Sequence, residues 1–307
     1  MEEVIKTVNL SKHFGDVEAV SELSLNVRKG EIYGFLGLNG AGKTTTIRML
    51  LGMVNPSSGQ AYIHGEKVYA NNNELWKKTG YLVEIPYAYP NLTVKENLEI
   101  IRRLRFIKDK NAIQHIVERL ELTQYINKKA KNLSLGNKQR LGLAKALIHN
   151  PEILILDEPA NGLDPAGIHD IREMLRTLAA DQGVTIFISS HILGEISRFA
   201  TRVGIIHHGK MVKEINTDQL EALCRKNLVV RSHDLKATQS LLIKNGYKEC
   251  IIENELIKIQ DEKAIEQPEQ IARLLVNGGH PLTQLHITEE DLESYFLRVI
   301  NKNGGTK

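Results

Sequence analysis

At 307 residues, 42% hydrophobic and 25% charged, the chain has an ordinary globular composition and, at roughly 100–200 residues per domain, room for one large domain and a smaller one. A formal net charge of +3 gives no support to a polyanion or nucleic-acid partner, and two cysteines, Cys224 and Cys250, are too few for a disulfide framework and read as reduced thiols. No stretch approaches the roughly 20 apolar residues that span a bilayer, and the acidic start Met1-Glu2-Glu3 has no apolar run behind it that would make a secretory signal.

Along the chain, short β-branched runs alternate with longer helical patterns, which implies a largely parallel sheet covered by helices. An antiparallel group is expected at residues 4–10, 23–27 and 60–63. The strand 31–36 feeds Gly37-Leu38-Asn39-Gly40-Ala41-Gly42-Lys43-Thr44, which fits G-x-x-x-x-G-K-[ST], and a helix is expected over 45–51. Glycines let such a loop turn its N–H groups inward onto phosphate oxygens, and the helix start adds its positive dipole end. Lys43 would meet the β/γ-phosphates, Thr44 would offer its hydroxyl to Mg²⁺, and residues Asn39 to Thr45 would cradle the nucleotide.

From about 92 to 149 the pattern is almost wholly helical, with the basic stretches Arg102-Arg103-Leu104-Arg105 and Lys128-Lys129-Ala130-Lys131 assigned to solvated helix faces. The apolar strand 153–156 then ends in Asp157-Glu158. Strand ends at the carboxyl edge of a parallel sheet are where ligands bind, so Asp157 would hold Mg²⁺ while Glu158, pointing the other way, would polarise an attacking water. His191 follows the strand 185–189 and would contact the γ-phosphate. A strand pair is expected at 203–207 and 210–215. After about 217 the character changes to a small α+β appendix, with strands at 228–231 and 250–259 and helices at 235–245, 268–277 and 289–301. The tail Asn303-Gly304-Gly305-Thr306-Lys307 is expected to be disordered. His280 and His286 read as ordinary polar residues rather than metal ligands.

A phosphate loop is shared by many enzymes; Leu133-Ser134-Leu135-Gly136-Asn137-Lys138-Gln139-Arg140, about twenty residues before the acidic strand and opening a helix over 138–149, is more selective. With it the chain resembles the ATP-binding-cassette (ABC) ATPases, whose signature is LSGGQ. Phe14 in Lys12-His13-Phe14-Gly15 matches the aromatic that stacks on adenine, Gly162-Leu163-Asp164 the loop after the acids, and His191 the switch histidine; the resemblance runs from Val4 to about Glu214. It implies an α/β P-loop fold, a mixed sheet core with an antiparallel β subdomain and a helical subdomain at about 85–150, in a domain 1–216 followed by an accessory α+β domain 217–307. It further implies two domains stacked head to tail with two ATP molecules between them, Ser134 and Gly136 contributing across the interface and Asp164 counted among the nucleotide-binding residues. The implied partners are a second copy of the chain, as a homodimer, and a separate membrane permease, with the chain on the cytoplasmic face of the membrane and no nucleic acid bound. A soluble ABC ATPase acting on ribosomes or DNA is the alternative, against which stand the single P-loop and the short span from Lys43 to Ser134.

Three departures from that pattern stand out. The signature has Leu135 for the first of its two glycines and Asn137 for its terminal glutamine. Asn161-Gly162 replaces the commoner Ser-Ala before Leu163. Glu84, ending Gly80-Tyr81-Leu82-Val83-Glu84, stands where most members have glutamine; it would still bind the metal. The run from Glu84 through Ile85-Pro86-Tyr87 to Leu98 looks like the lantibiotic-immunity and bacitracin-resistance exporters, which implies export of a peptide antibiotic or drug. Tyr87, Tyr89 and Leu92 would then line a groove for the permease, or else pack between subdomains.

Overall fold

The computed structural model describes residues 2–70, 73–84 and 87–303; Ile85, Pro86 and the tail from Gly304 lie outside them. In chain order the elements are β1 (Glu3–Phe14), β2 (Val17–Arg28), β3 (Ile32–Leu36), α1 (Lys43–Leu50), β4 (Ser58–Ile63), β5 (Glu66–Lys67), α2 (Asn73–Lys78), β6 (Thr79–Leu82), α3 (Val94–Leu104), α4 (Ala112–Arg119), α5 (Leu135–Leu147), β7 (Ile153–Asp157), α6 (Pro165–Gln182), β8 (Thr185–Ser190), α7 (Leu193–Ile196), β9 (Arg202–His207) and β10 (Lys210–Asn216). There follow α8 (Leu220–Leu223), β11 (Lys226–Ser232), α9 (Leu235–Lys244), β12 (Cys250–Glu253), β13 (Leu256–Ile259), α10 (Glu262–Glu266), α11 (Pro268–Asn277), β14 (Leu282–Glu289) and α12 (Leu292–Asn303). The described residues divide into two compact units, the first within residues 2–218 and the second 219–301.

The first unit holds two sheets. One is mixed, in the order β10-β9-β3-β8-β7-β6, with every neighbour parallel except the β9–β10 hairpin. Strands β3, β7 and β8 are buried along their whole length, as expected where both faces of a parallel sheet are covered and no alternation can show. The other sheet is antiparallel, β2-β1-β4-β5. Its long strands alternate between buried and exposed positions, and its inward residues Ile5, Leu10, Val20 and Leu23 share one core with Tyr33, Phe35, Ile47 and Phe187. Apolar burial of this kind contributes about 25 cal/mol per Å², and here it fixes β3 and α1 to the antiparallel sheet. The helical segment begins with a capping box, Thr93 accepting from the Glu96 N–H and Glu96 from the Thr93 N–H, which supplies partners to two otherwise orphaned donors. Among the described residues no helix is long and apolar enough to cross a membrane.

In the second unit an antiparallel sheet runs β12-β13-β11-β14. With α9 between β11 and β12 and α11 between β13 and β14, it has the βαββαβ plan of ferredoxin-like folds. Leu228, Val230, Ile257 and Ile259 pack with Leu242 of α9 and with Ile271 and Leu275 of α11. Two expectations need correction here. The single strand 250–259 is a hairpin, turned at Asn254 and Glu255, both at positive φ (50° and 59°); a two-residue turn with both φ values positive matches the twist of the strands it joins. Position 289 ends a strand rather than opening a helix, because 282–289 pairs with β11 along its length. Both cysteines are free, and burial pushes the Cys250 thiol up to about 11.

Candidate active site

The loop between β3 and α1 is shaped by close approach. A Cβ on Gly37 would stand 2.7 Å from the Ile206 carbonyl, and one on Gly42, at φ 107°, would stand 2.5 Å from the Ala19 carbonyl. Neither position accepts a side chain without moving backbone. The Gly209 N–H donates to the Ala41 carbonyl at 2.9 Å and the Gly209 carbonyl accepts from Ser21 at 2.9 Å, so the β9–β10 turn braces the loop against β2. No side chain caps α1, which leaves its first N–H groups facing outward as an anion site.

Residues Asn39 to Thr45 all line a cleft of about 790 Å³, together with Glu84, Asp157 and Glu158. Val17, Glu18 and Ala19 of β2 line it as well. Phe14 is not in the lining; it stands opposite Val17 at the β1–β2 turn, 51% exposed, with Lys12 Nζ 5.0 Å over its ring.

The buried Lys43 donates to the Gly37 carbonyl at 2.6 Å and reaches Glu158 Oε1 at 3.0 Å. The other Glu158 oxygen meets His191 Nδ1 at 2.7 Å. Lysine, glutamate and histidine, from α1 and from just past the ends of β7 and β8, thus form one chain of contacts; Lys43 and Glu158 line the cleft, and His191 lines the neighbouring pocket that Glu158 shares. Glu158 is held at φ 48°, a left-handed conformation that costs a non-glycine residue roughly 1–2 kcal/mol and that clusters where geometry is functional. Its N–H donates to Ser189 Oγ at 3.0 Å. Ser189 in turn donates to Asp157 Oδ1 at 2.6 Å, and Thr44 donates to Asp157 Oδ2 at 2.7 Å.

A hydroxyl and a buried carboxylate in contact are hard oxygen donors of the kind Mg²⁺ takes when phosphate and water complete its shell. Thr44 and Asp157 fit that role. Glu84, at φ 58°, lines the same cleft, but its carboxylate is paired with the Arg48 guanidinium from the last turn of α1.

Three functional neighbours were missed from the sequence. Ser189 is one; it stands beside Asp157 only through the register of adjacent parallel strands, which no motif in the sequence signals. Arg48 is another, one helical turn beyond Thr44 and Thr45 and so a neighbour of theirs along α1. Gln139 is the third, buried within the helix that the signature opens and lining the cleft.

Ser134 is the N-cap of α5, its Oγ accepting from the Asn137 N–H at 3.3 Å, and Asp164 is the N-cap of α6, accepting from the Gly167 N–H at 2.9 Å. Neither they nor Gly136 line the P-loop cleft of their own chain. Tyr87 and Tyr89 are exposed and meet edge to face at 5.7 Å.

Residues 20–161 match the family model described as ABC transporter. The whole chain is 43% identical over 310 residues to a bacitracin transport ATP-binding protein of Bacillus licheniformis, covering 99% of that protein. It is also 36% identical over 220 residues to a lantibiotic transport ATP-binding protein of Streptococcus pyogenes, covering 72% of this chain and 94% of the relative. Among solved structures, a dimeric bacterial ABC transporter cassette superposes with a TM-score of 0.64 at 27% identity, covering 69% of this chain and 98% of that one. A post-hydrolysis dimer of a cassette with ADP and phosphate bound gives 0.64 at 26%, with the same coverage.

Proposed function

The chain belongs to the ABC transporter family as an ATP-binding subunit, and from that premise we propose that it powers the export of a peptide antibiotic, bacitracin-like or lantibiotic-like, from the cytoplasmic face of the membrane. It hydrolyses ATP and works with a separate permease and a second ATPase subunit. The observation that carries the catalytic part is the contact chain Lys43–Glu158–His191 at the mouth of a phosphate-binding loop. The cargo class is supported by the relatives' names and by their match along nearly the full chain, appendix included.

The chemistry follows from that chain. When a triphosphate enters the loop, the Lys43 ammonium moves from Glu158 onto the β/γ-phosphate oxygens. Glu158 is left hydrogen-bonded to His191 alone and able to accept a proton from water. Water oxygen bonds to the γ-phosphorus as the bond to the β–γ bridging oxygen breaks, giving ADP and phosphate, with the proton passing towards Glu158. His191 holds that carboxylate in line. Thr44 and Asp157 would hold Mg²⁺, with Glu84 beside them; bound there, the ion neutralises charge on the phosphate oxygens. Ser134 and the Gly136 N–H, at the start of α5, meet the γ-phosphate of the ATP held by the other protomer, so a solitary chain is a poor ATPase.

The test is the complex of the chain with its permease in membrane vesicles. Its ATPase rate should change on adding bacitracin or a cationic lantibiotic, and Lys43→Ala should abolish both basal and stimulated rates. Activity indifferent to every such peptide would refute the cargo class while leaving the ATPase assignment standing.

A further inference from the structure

Two of the departures from the family pattern meet in space. Leu135 opens α5 where the signature has glycine, and Gly162 stands where a residue with a side chain is commoner. A Cβ on Gly162 would lie 2.3 Å from Leu135 Cδ2 and 3.5 Å from its Cγ, so the leucine occupies the space that a side chain at 162 would need. The contact is reciprocal: a Cβ on Gly136 would lie 3.4 Å from Leu163 Cδ2. Further along α5, Gln139 Nε2 donates to the Asn161 carbonyl at 3.4 Å, and Arg140 reaches Asp170 Oδ2 at 2.7 Å. Positions 135, 136, 139 and 140 share one side of a helix. The first turns of α5 therefore grip the segment 161–170 that follows Glu158.

We propose that Leu135 and Gly162 are positioning residues, a knob and its gap, that fix the loop after Glu158 to the turn carrying Ser134. The inference rests on the paired-site function above, in which Glu158 serves the ATP on its own P-loop and Ser134 serves the ATP of the partner protomer. Under that arrangement the knob and gap link the two ATP sites through each protomer. The large residue in the signature and the missing one in the loop are then one matched change rather than two defects. Leu135 is 50% exposed, so a methyl placed at 162 displaces it from its seat instead of unfolding the unit. Gly162 also sits at φ 75°, and alanine there adds a backbone cost that is the same whatever stands at 135. A double-mutant cycle subtracts that common cost.

The experiment uses the full chain carrying Glu158→Gln, alone and with Gly162→Ala, Leu135→Ala or both. ATP-driven dimerisation is followed by analytical ultracentrifugation, and nucleotide affinity of the dilute monomer by a fluorescent ATP analogue. Gly162→Ala should weaken dimerisation about tenfold with Leu135 present but no more than about threefold in the Leu135→Ala background, and monomer affinity, although both residues line the P-loop cleft, should change less than dimerisation. An equal effect of Gly162→Ala in both backgrounds, in a parent that dimerises normally, overturns the inference alone. A parent that fails to dimerise with ATP overturns the paired-site function and this inference with it. Should Gly162→Ala not fold, Leu135→Ala with native Glu158 decides: the Hill coefficient for ATP hydrolysis should fall towards 1, and an unchanged coefficient overturns the link.

Discussion

Ser189→Ala removes a hydroxyl that no part of the sequence advertises. Ser189 is fully buried; it donates to Asp157 Oδ1 at 2.6 Å and accepts from the Glu158 N–H at 3.0 Å. A hydrogen bond to a charged group is worth about 1.5–3 kcal/mol and a neutral one about 1. The expected loss is therefore about 3 kcal/mol, which for a unit of this size lowers Tm by about 6–12 °C. The functional loss should fall on turnover, because the bond to the Glu158 N–H holds that residue at its positive φ. If half of the lost energy is expressed in the transition state, kcat drops about tenfold, while ATP affinity, set by the P-loop, stays within about threefold. Differential scanning calorimetry and steady-state ATPase assays of the transporter complex read the two effects. A Tm within 2 °C of wild type, or a loss appearing wholly in KM, would refute the reasoning, since it would mean Asp157 and Glu158 do not depend on this hydroxyl.

Further outcomes are expected elsewhere. Arg48→Met leaves the Glu84 charge uncompensated in the phosphate cleft; because the pair is largely exposed, it is worth under about 1 kcal/mol, so ATP affinity should fall no more than about fivefold and recover in Arg48→Met/Glu84→Gln or in 0.5 M salt. Burial, and after it the nearby Arg105 charge, pull His149 from 6.5 down to about 4. The folded chain thus holds His149 neutral while the unfolded chain protonates it near 6.5, so stability from this group is complete above about 6.5 and is lost as pH falls from there to about 4. His149→Gln should flatten that limb of the Tm–pH curve, and an unaltered acid limb would exclude His149 as its source.

The strands of the mixed sheet were legible because β3, β7 and β8 are continuous apolar runs, and the P-loop because its glycines are spaced by close backbone approach. The hairpin of β12 and β13 was not, because Asn254 and Glu255 lack the glycine that usually marks such a turn. β14 was hidden for a different reason: of its residues Leu282, Thr283, Gln284, Leu285 and His286, none is fully buried, so the period-two contrast that reveals a strand is faint. At the site, the ends of strands could be read individually as Asp157, Glu158 and His191. Their mutual contacts could not, because Ser189, Arg48 and Gln139 become neighbours only through strand register and helix packing, which a linear motif does not carry.

The Lys43–Glu158 contact bears on how hydrolysis is held back until the right nucleotide arrives. Both groups are largely buried, and removing one member of such a pair commonly costs 3–5 kcal/mol because the other charge is left uncompensated. A nucleotide therefore frees Glu158 only if its phosphates give Lys43 an equivalent partner. The γ-phosphate of ATP adds charge at the position Lys43 must reach, whereas ADP offers less and should leave more of Glu158 paired. Amide hydrogen exchange over residues 158–163, measured at a dilution where light scattering shows monomer, should be faster with a non-hydrolysable ATP analogue than with ADP. Equal exchange with both nucleotides would mean that the glutamate is released by something other than the lysine's transfer to phosphate.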